Sequence, residues 1–411
     1  MEKWLDRPEA FAIKGPRQSG KTTLLKLLSE KLRGKTVFLN FEDPDVLEPF
    51  EKDPKGFLKS FLSGPERHCF LMDEYHYVRE AGRKLKLLYD TFENTKFIVT
   101  GSSSLELGEG MGRFLVGRVF FFELLPFSFG EFLLARDERL ARLHREKSSL
   151  LKAFLLGEEI EVGEDALAGE LQKPLVEYLL YGGYPAVAIA EDRETKRAIL
   201  KGIYDTYISR DVVEFLKFRD AFRYRETVRA LAASLGGLLN YRELSSEVGI
   251  YFKELKRIIS TLCETYILLL LRPFFRNPRT ELRKAPKVYF FDLGLRNYII
   301  NNFNPLELRG DAGEMVENFV LLGLVRMLPE ASINYWRTIA GAEADFVVRR
   351  GVELIPVEVK YGRLEEPKIS RGLRNFIKNY SPQRALVLSR GLWAVREVEG
   401  TKILFAPLCY L

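Results

Sequence analysis

Cysteine, histidine and tryptophan are scarce in this 411-residue chain, at three residues each. Cys69, Cys263 and Cys409 are too few and too scattered for a disulfide framework or a structural zinc site, so they are expected as reduced core residues. His68, His76 and His144 form no metal-ligand spacing; any divalent cation would need oxygen ligands, which favours magnesium or manganese. Long apolar runs are missing too. Stretches such as Ile267 to Leu271 fall far short of the roughly 20 residues that span a bilayer. The start, Met1-Glu2-Lys3-Trp4-Leu5-Asp6, has no signal-peptide core. These absences predict a cytoplasmic protein with no membrane partner.

What is present is an ordinary globular composition, 46% hydrophobic and 29% charged, at a length that suggests two to four domains. The net charge of +6 is unevenly placed. Residues 221–300 hold 14 Lys and Arg against 7 Asp and Glu, a balance of +7 that exceeds the total for the whole chain. Such a segment is either a local polyanion-binding surface or a solvated basic face.

The most specific motif is Gly15-Pro16-Arg17-Gln18-Ser19-Gly20-Lys21-Thr22, a complete G-x-x-x-x-G-K-[ST]. The strand-like Phe11-Ala12-Ile13 leads into it and the helix-like run from Thr22 to Leu28 follows. A loop of this kind turns successive backbone N–H groups inward, where they and the positive end of a helix surround phosphate oxygens. Lys21 is expected on the outer phosphates, the Thr22 hydroxyl on magnesium and Thr23 near the inner phosphates.

Cys69-Phe70-Leu71-Met72-Asp73-Glu74 reads as a buried parallel strand that delivers two acids to the end of a sheet. Asp73 is expected in the magnesium shell and Glu74 as the base that orients and deprotonates an attacking water. Lys96 to Ser102 gives a further strand, with Thr100 or Ser102 placed to sense the terminal phosphate. Arg118 precedes the strand Val119 to Leu124; it either pairs with a phosphate, of its own or a neighbouring subunit, or is solvated.

Together, the loop Gly15 to Thr22, the Asp73-Glu74 strand end, Thr100-Gly101-Ser102, Gly117-Arg118 and Leu125-Pro126-Phe127-Ser128-Phe129 resemble prokaryotic, especially archaeal, AAA-type ATPases, as does Leu180-Tyr181-Gly182-Gly183-Tyr184-Pro185. The resemblance implies an α/β P-loop NTPase core with a parallel sheet over residues 1–135, ATP and Mg2+ as cofactors, and a homo-oligomer as a possible assembly. It also implies a helical lid over 136–220, where Arg210 is a candidate second phosphate sensor or one half of a surface ion pair.

Residues 221–300 carry helix patterns around Arg225 to Leu239, Tyr241 to Val248 and Phe252 to Ile259, then two strand-like runs, Ile267 to Arg272 and Lys287 to Phe291. This is the order of a winged helix-turn-helix, with Arg276, Arg279, Arg283 and Lys284 in the loop of the wing. DNA is the expected partner, although winged helices also dock proteins.

In residues 301–411, Gly313 to Val320 opens a helix with Glu314 and Glu317 on one face; Glu343 to Val348 and Leu354 to Lys360 read as strands. Glu358 and Lys360, two apart in a strand, share a face and can converge with Asp345. This set resembles the PD-(D/E)XK nuclease core, a C-terminal α/β restriction-endonuclease-like fold. By that resemblance Asp345 and Glu358 hold magnesium, Lys360 orients the attacking water and Glu317 adds to the acidic shell. The alternative is an inactive scaffold in which Glu358 and Lys360 form an ion pair.

Overall fold

The computed structural model describes residues 1–101, 116–163, 168–206, 220–275, 277, 279, 281, 284–338 and 340–411. Ser102, Arg210, Arg276 and Arg283 lie outside the described residues. The chain divides into two compact units, Met1–Pro126 with Ser260–Ile267, and Phe127–Ile259 with Leu268–Leu411. Most of residues 136–411 lies in the second unit.

In the first unit β1 (Ala10–Lys14), β2 (Lys35–Asn40), β3 (His68–Asp73), β4 (Thr95–Gly101) and β5 (Val119–Glu123) form a parallel sheet in the order β2-β3-β4-β1-β5. Its central strands are apolar without interruption because both faces are covered. Ala10, Ala12, Phe70, Met72, Phe97 and Val99 enter one core, and the alternate residues Phe11, Ile13, Leu71 and Ile98 enter another. Helix Lys21–Ser29 buries Leu25 and Leu28 against the second of these. All strands run the same way, so the ends of β1, β3 and β4 meet at one edge of the sheet.

The second unit opens with a capping box. Ser128 accepts from the backbone of Glu131, whose carboxylate accepts in return from the Ser128 N–H, and this starts helix Phe129–Leu134. Phe127 N–H donates to Gly183 O at 2.7 Å.

Helices Glu138–Leu156 and Ala168–Tyr181 form where a lid is expected, but side chains of the C-terminal sheet bond to them. Arg350 donates to Leu155 O and Arg384 to Gly157 O, each at 2.9 Å, and Gln172 donates to Arg390 O at 3.3 Å. The Gly182-Gly183 pair has a structural reason. Buried Asp292 accepts from Gly183 N–H at 2.7 Å and from Leu295 N–H at 2.8 Å, capping helix Leu293–Ile299. Gly182 sits at φ 79°, where a Cβ would come within 2.2 Å of the Asp292 carboxylate.

Residues 221–300 form helices Ala221–Ala233, Tyr241–Val248 and Phe252–Glu264, followed by an antiparallel pair, β6 (Leu268–Leu271) and β7 (Lys287–Phe290). Asn240 caps the second helix and Gly249, at φ 66°, ends it. A bridge from Leu238 to Lys287 ties the turn after the first helix to β7.

Helix Ala312–Met327 then precedes a six-stranded sheet in the order β12-β13-β11-β10-β9-β8. Its strands are β8 (Ser332–Arg337), β9 (Glu343–Arg350), β10 (Glu353–Val359), β11 (Arg384–Ser389), β12 (Ala394–Val398) and β13 (Thr401–Pro407). The pairs β8/β9 and β9/β10 are antiparallel, β10/β11 and β11/β13 are parallel, and helix Arg371–Tyr380 joins β10 to β11. Among the described residues no helix is long and apolar enough to cross a membrane.

Candidate functional site

The phosphate loop follows β1 directly, and its backbone leaves little latitude. A Cβ on Gly15 would come within 2.0 Å of Leu124 O, Gln18 holds φ 61°, and Gly20 at φ 95° begins the helix. Lys21 is 4% exposed, and its ammonium donates to Gly15 O at 3.0 Å and Pro16 O at 2.8 Å. Burial pushes Lys21 below its ordinary value, while the carboxylates of Glu74 and Asp73 act to hold it up. The Ser19 hydroxyl is buried with no hydrogen-bond partner among the described residues, Arg17 donates to the Tyr77 hydroxyl at 2.9 Å, and Thr22 and Thr23 are exposed at the start of the helix.

Strand register brings the remaining groups to this edge. Leu71 and Phe11 both pair with Ile98, so Asp73, Thr100 and Ile13 stand level across β3, β4 and β1. Buried Asp73 accepts from the Thr22 hydroxyl at 2.7 Å and from the Thr100 hydroxyl at 2.5 Å. The Thr100 oxygen in turn accepts from the Glu74 N–H at 3.0 Å. Glu74 occupies φ 51°, a left-handed conformation uncommon for a side-chain-bearing residue, and it turns the chain sharply at the strand end. Its Oε2 lies 3.0 Å from His76 Nδ1. Burial alone would raise the Glu74 pKa, but His76, Lys21 and Arg17 together bring it below the usual carboxylate range. The pairing with His76 was not legible in the sequence, which offered only a histidine two residues after a glutamate.

Arg118 is not brought to this edge. It precedes β5 beside Ala10, at the opposite end of β1 from the loop, roughly 16 Å away along the strand, and it pairs with Asp90 at 3.0 Å.

Residues 7–133 match the family model of an AAA domain. Residues 172–306 and 312–409 match two further families, each described as a domain of unknown function. An uncharacterized protein of Haemophilus influenzae is 23% identical over 96% of this chain and 92% of its own length. One of Mycobacterium tuberculosis is 26% identical over 95% and 78%. Among solved structures, the Thermotoga maritima RuvB Holliday junction branch migration motor is 19% identical, covers 69% of this chain and 91% of its own, and has a TM-score of 0.32. Cdc6p of Pyrobaculum aerophilum is 12% identical over 75% and 91%, with a TM-score of 0.27.

The sequence also pointed to a second cluster, in the C-terminal sheet. Val357 pairs with Phe346 as the last pair of the β9/β10 ladder, next to Glu358 on one strand and Asp345 on the other. Asp345 accepts from Val359 N–H at 2.7 Å. Burial and the charges of Glu317 and Glu358 raise its pKa to about 7, against the opposing Val359 N–H and Lys287. Each of the other two acids has partners of its own. The Tyr289 hydroxyl donates to Glu317 at 3.0 Å and Lys287 lies 3.6 Å away; Glu358 pairs with Lys360 at 2.8 Å and accepts from Ser370 N–H at 3.3 Å.

Among the described residues no three His, Cys, Asp or Glu side chains gather closely enough to hold a metal. Asp345 feels the charges of both Glu317 and Glu358, and each of the three acids also has a hydrogen-bond or ion-pair partner within the chain.

Two cations of the basic segment are turned inward. Arg296 is fully buried and pairs with Asp311, and Lys287 faces Glu317, so neither adds to an outer surface. Lys253, Lys256, Arg279 and Lys284 are exposed.

Proposed function

We propose that the chain binds and hydrolyses ATP at the edge of the AAA sheet. The observation that carries this reading is the hydrogen-bonded run from Thr22 through Asp73 and Thr100 to the Glu74 backbone, with the buried Lys21 ammonium beside it. A hydroxyl and a carboxylate 2.7 Å apart are hard oxygen donors suited to magnesium, so Thr22 and Asp73 would hold the ion. Magnesium bound there with the nucleotide neutralises phosphate charge.

The residues of the chain do the rest. The loop N–H groups and Lys21 bind phosphate oxygens, and Gly15 to Gly20 set the curvature of the loop. Thr100 fixes the Asp73 carboxylate from one side and the Glu74 backbone from the other. Glu74, held ionised by His76, orients a water and takes its proton. Phosphate release from ATP by the purified protein, abolished by Lys21→Ala, tests this reading. Undiminished turnover in that variant would remove it.

DNA is the proposed partner, reached through the exposed lysines and arginines of residues 221–300, whose three helices and antiparallel pair follow the order of a winged helix. Cleavage by the C-terminal domain is the finer proposal. Its support is the helix, antiparallel hairpin, helix and parallel strand order of that domain, with Asp345 and Glu358 next to the last pair of the β9/β10 ladder and the Asp345 carboxyl pushed up by neighbouring charge. The pairing of Lys360 with Glu358 favours a second reading, a nucleotide-driven switch whose C-terminal domain is a scaffold. Incubating duplex, branched and single-stranded DNA with magnesium or manganese separates the two. Cleavage lost on Glu358→Ala supports the first, and intact DNA throughout supports the second.

A further inference from the structure

The start of helix Phe252–Glu264 sets consecutive exposed aromatic rings beside exposed lysines. Tyr251 is 86% exposed and Phe252 43% exposed, and they are consecutive. The Tyr251 carbonyl accepts from the N–H groups of Glu254 and Leu255, so the backbone at this point is fixed by the helix it begins while the ring stays open to solvent. Phe252 packs against the Tyr241 ring with centroids 6.1 Å apart, and the Lys256 ammonium lies 4.6 Å from the Phe252 ring and 5.9 Å from that of Tyr241. Lys253 is exposed beside them.

Contacts to a duplex backbone need only cations and small donors, and exposing two large rings in water carries no benefit for that task. Rings held beside lysines match a different ligand. Unpaired bases stack on aromatic faces irrespective of sequence, while the flanking cations hold the phosphates between them. We infer that Tyr251 and Phe252 form a stacking platform for unpaired bases, and that the DNA this chain prefers carries a single-stranded stretch, as at an overhang or fork. This rests on the DNA-binding reading above and narrows it to a substrate class.

The test is fluorescence anisotropy on the full-length protein with three labelled DNAs of equal length: oligo(dT), a blunt duplex, and a duplex with a dT overhang. The expected order is overhang and oligo(dT) tighter than blunt duplex. Alanine at both Tyr251 and Phe252 should weaken the first two by roughly tenfold or more, the scale of base stacking on an aromatic side chain, and leave the blunt duplex unchanged. Tyr251→Trp should keep the affinity, and its added emission should be quenched by oligo(dT). Lys253→Ala with Lys256→Ala should weaken all three DNAs and flatten their salt dependence.

Equal affinity for all three DNAs, or loss on the lysine changes alone, overturns the platform and leaves DNA binding standing. Binding of none overturns the DNA reading and the platform with it. In that case a change in sedimentation on the Tyr251 and Phe252 substitutions would assign the rings to a protein contact.

Discussion

Replacing Glu74 with glutamine changes one heavy atom at the point where the five-stranded parallel sheet meets the proposed water. The Glu74 backbone is set by its N–H bond to Thr100 and by the turn at φ 51°, and glutamine can keep both. What is lost is the negative charge that accepts the proton. A general base contributes about 10²- to 10⁴-fold, which corresponds to about 3–5 kcal/mol of barrier. Turnover of Glu74→Gln should fall by that factor while nucleotide affinity, set by the loop and Lys21, is retained. Single-turnover phosphate release, with equilibrium binding of a fluorescent ATP analogue, measures the two separately.

The pH profile adds a second, signed expectation. In the native protein Glu74 is held below its ordinary 4.5, so activity that needs it ionised should persist down to pH values below 4.5 as far as this group is concerned. His76→Ala removes the largest influence opposing burial, so the acid limb should move up in pH. Wild-type turnover in Glu74→Gln, with circular dichroism confirming the fold, would refute the assignment of the base. An unmoved acid limb in His76→Ala would refute the role given to the histidine.

Gly15→Ala forces a methyl toward Leu124 O, so the loop must shift, and a displacement of this order should cost about 100-fold in turnover. Asp292 is buried with its pKa raised from 3.8 to about 6, so the folded state binds its proton more tightly than the unfolded chain does. Its contribution to stability is therefore full below about pH 4 and lost as pH rises through about 6, roughly 3 kcal/mol in all. In Asp292→Asn that slope should vanish from the difference between the thermal midpoints of variant and parent across this range. Lys360→Ala should destabilise the C-terminal domain by about 1 kcal/mol, since the lysine is half exposed, and leave ATP turnover unchanged.

Local order along the chain could be read directly. Gly15 to Thr22 between an apolar strand and a helix, the Cys69 to Glu74 strand with its terminal acids, and the helices and strands of residues 221–300 all follow from patterns confined to a few neighbouring residues. An unbroken apolar run buries both faces of a strand wherever that strand lies, and a glycine-framed loop curls by its own dihedral limits. Such features need no knowledge of distant residues.

Distance is what the tertiary structure decided. That Thr100 joins Asp73 to Glu74 depends on β4 lying between β1 and β3, and that Arg118 faces Asp90 depends on the direction of β5. Gly182 makes room for a carboxylate 110 positions later, and Arg296, counted by sequence with a basic surface, is buried against Asp311. Asp345, Glu317 and Glu358 have backbone N–H groups, a tyrosine and lysines as partners, none of which their spacing in the chain could name. A charge is placed by the nearest group of opposite sign or by a hydrogen-bond donor, and which group is nearest is settled only when the chain is packed.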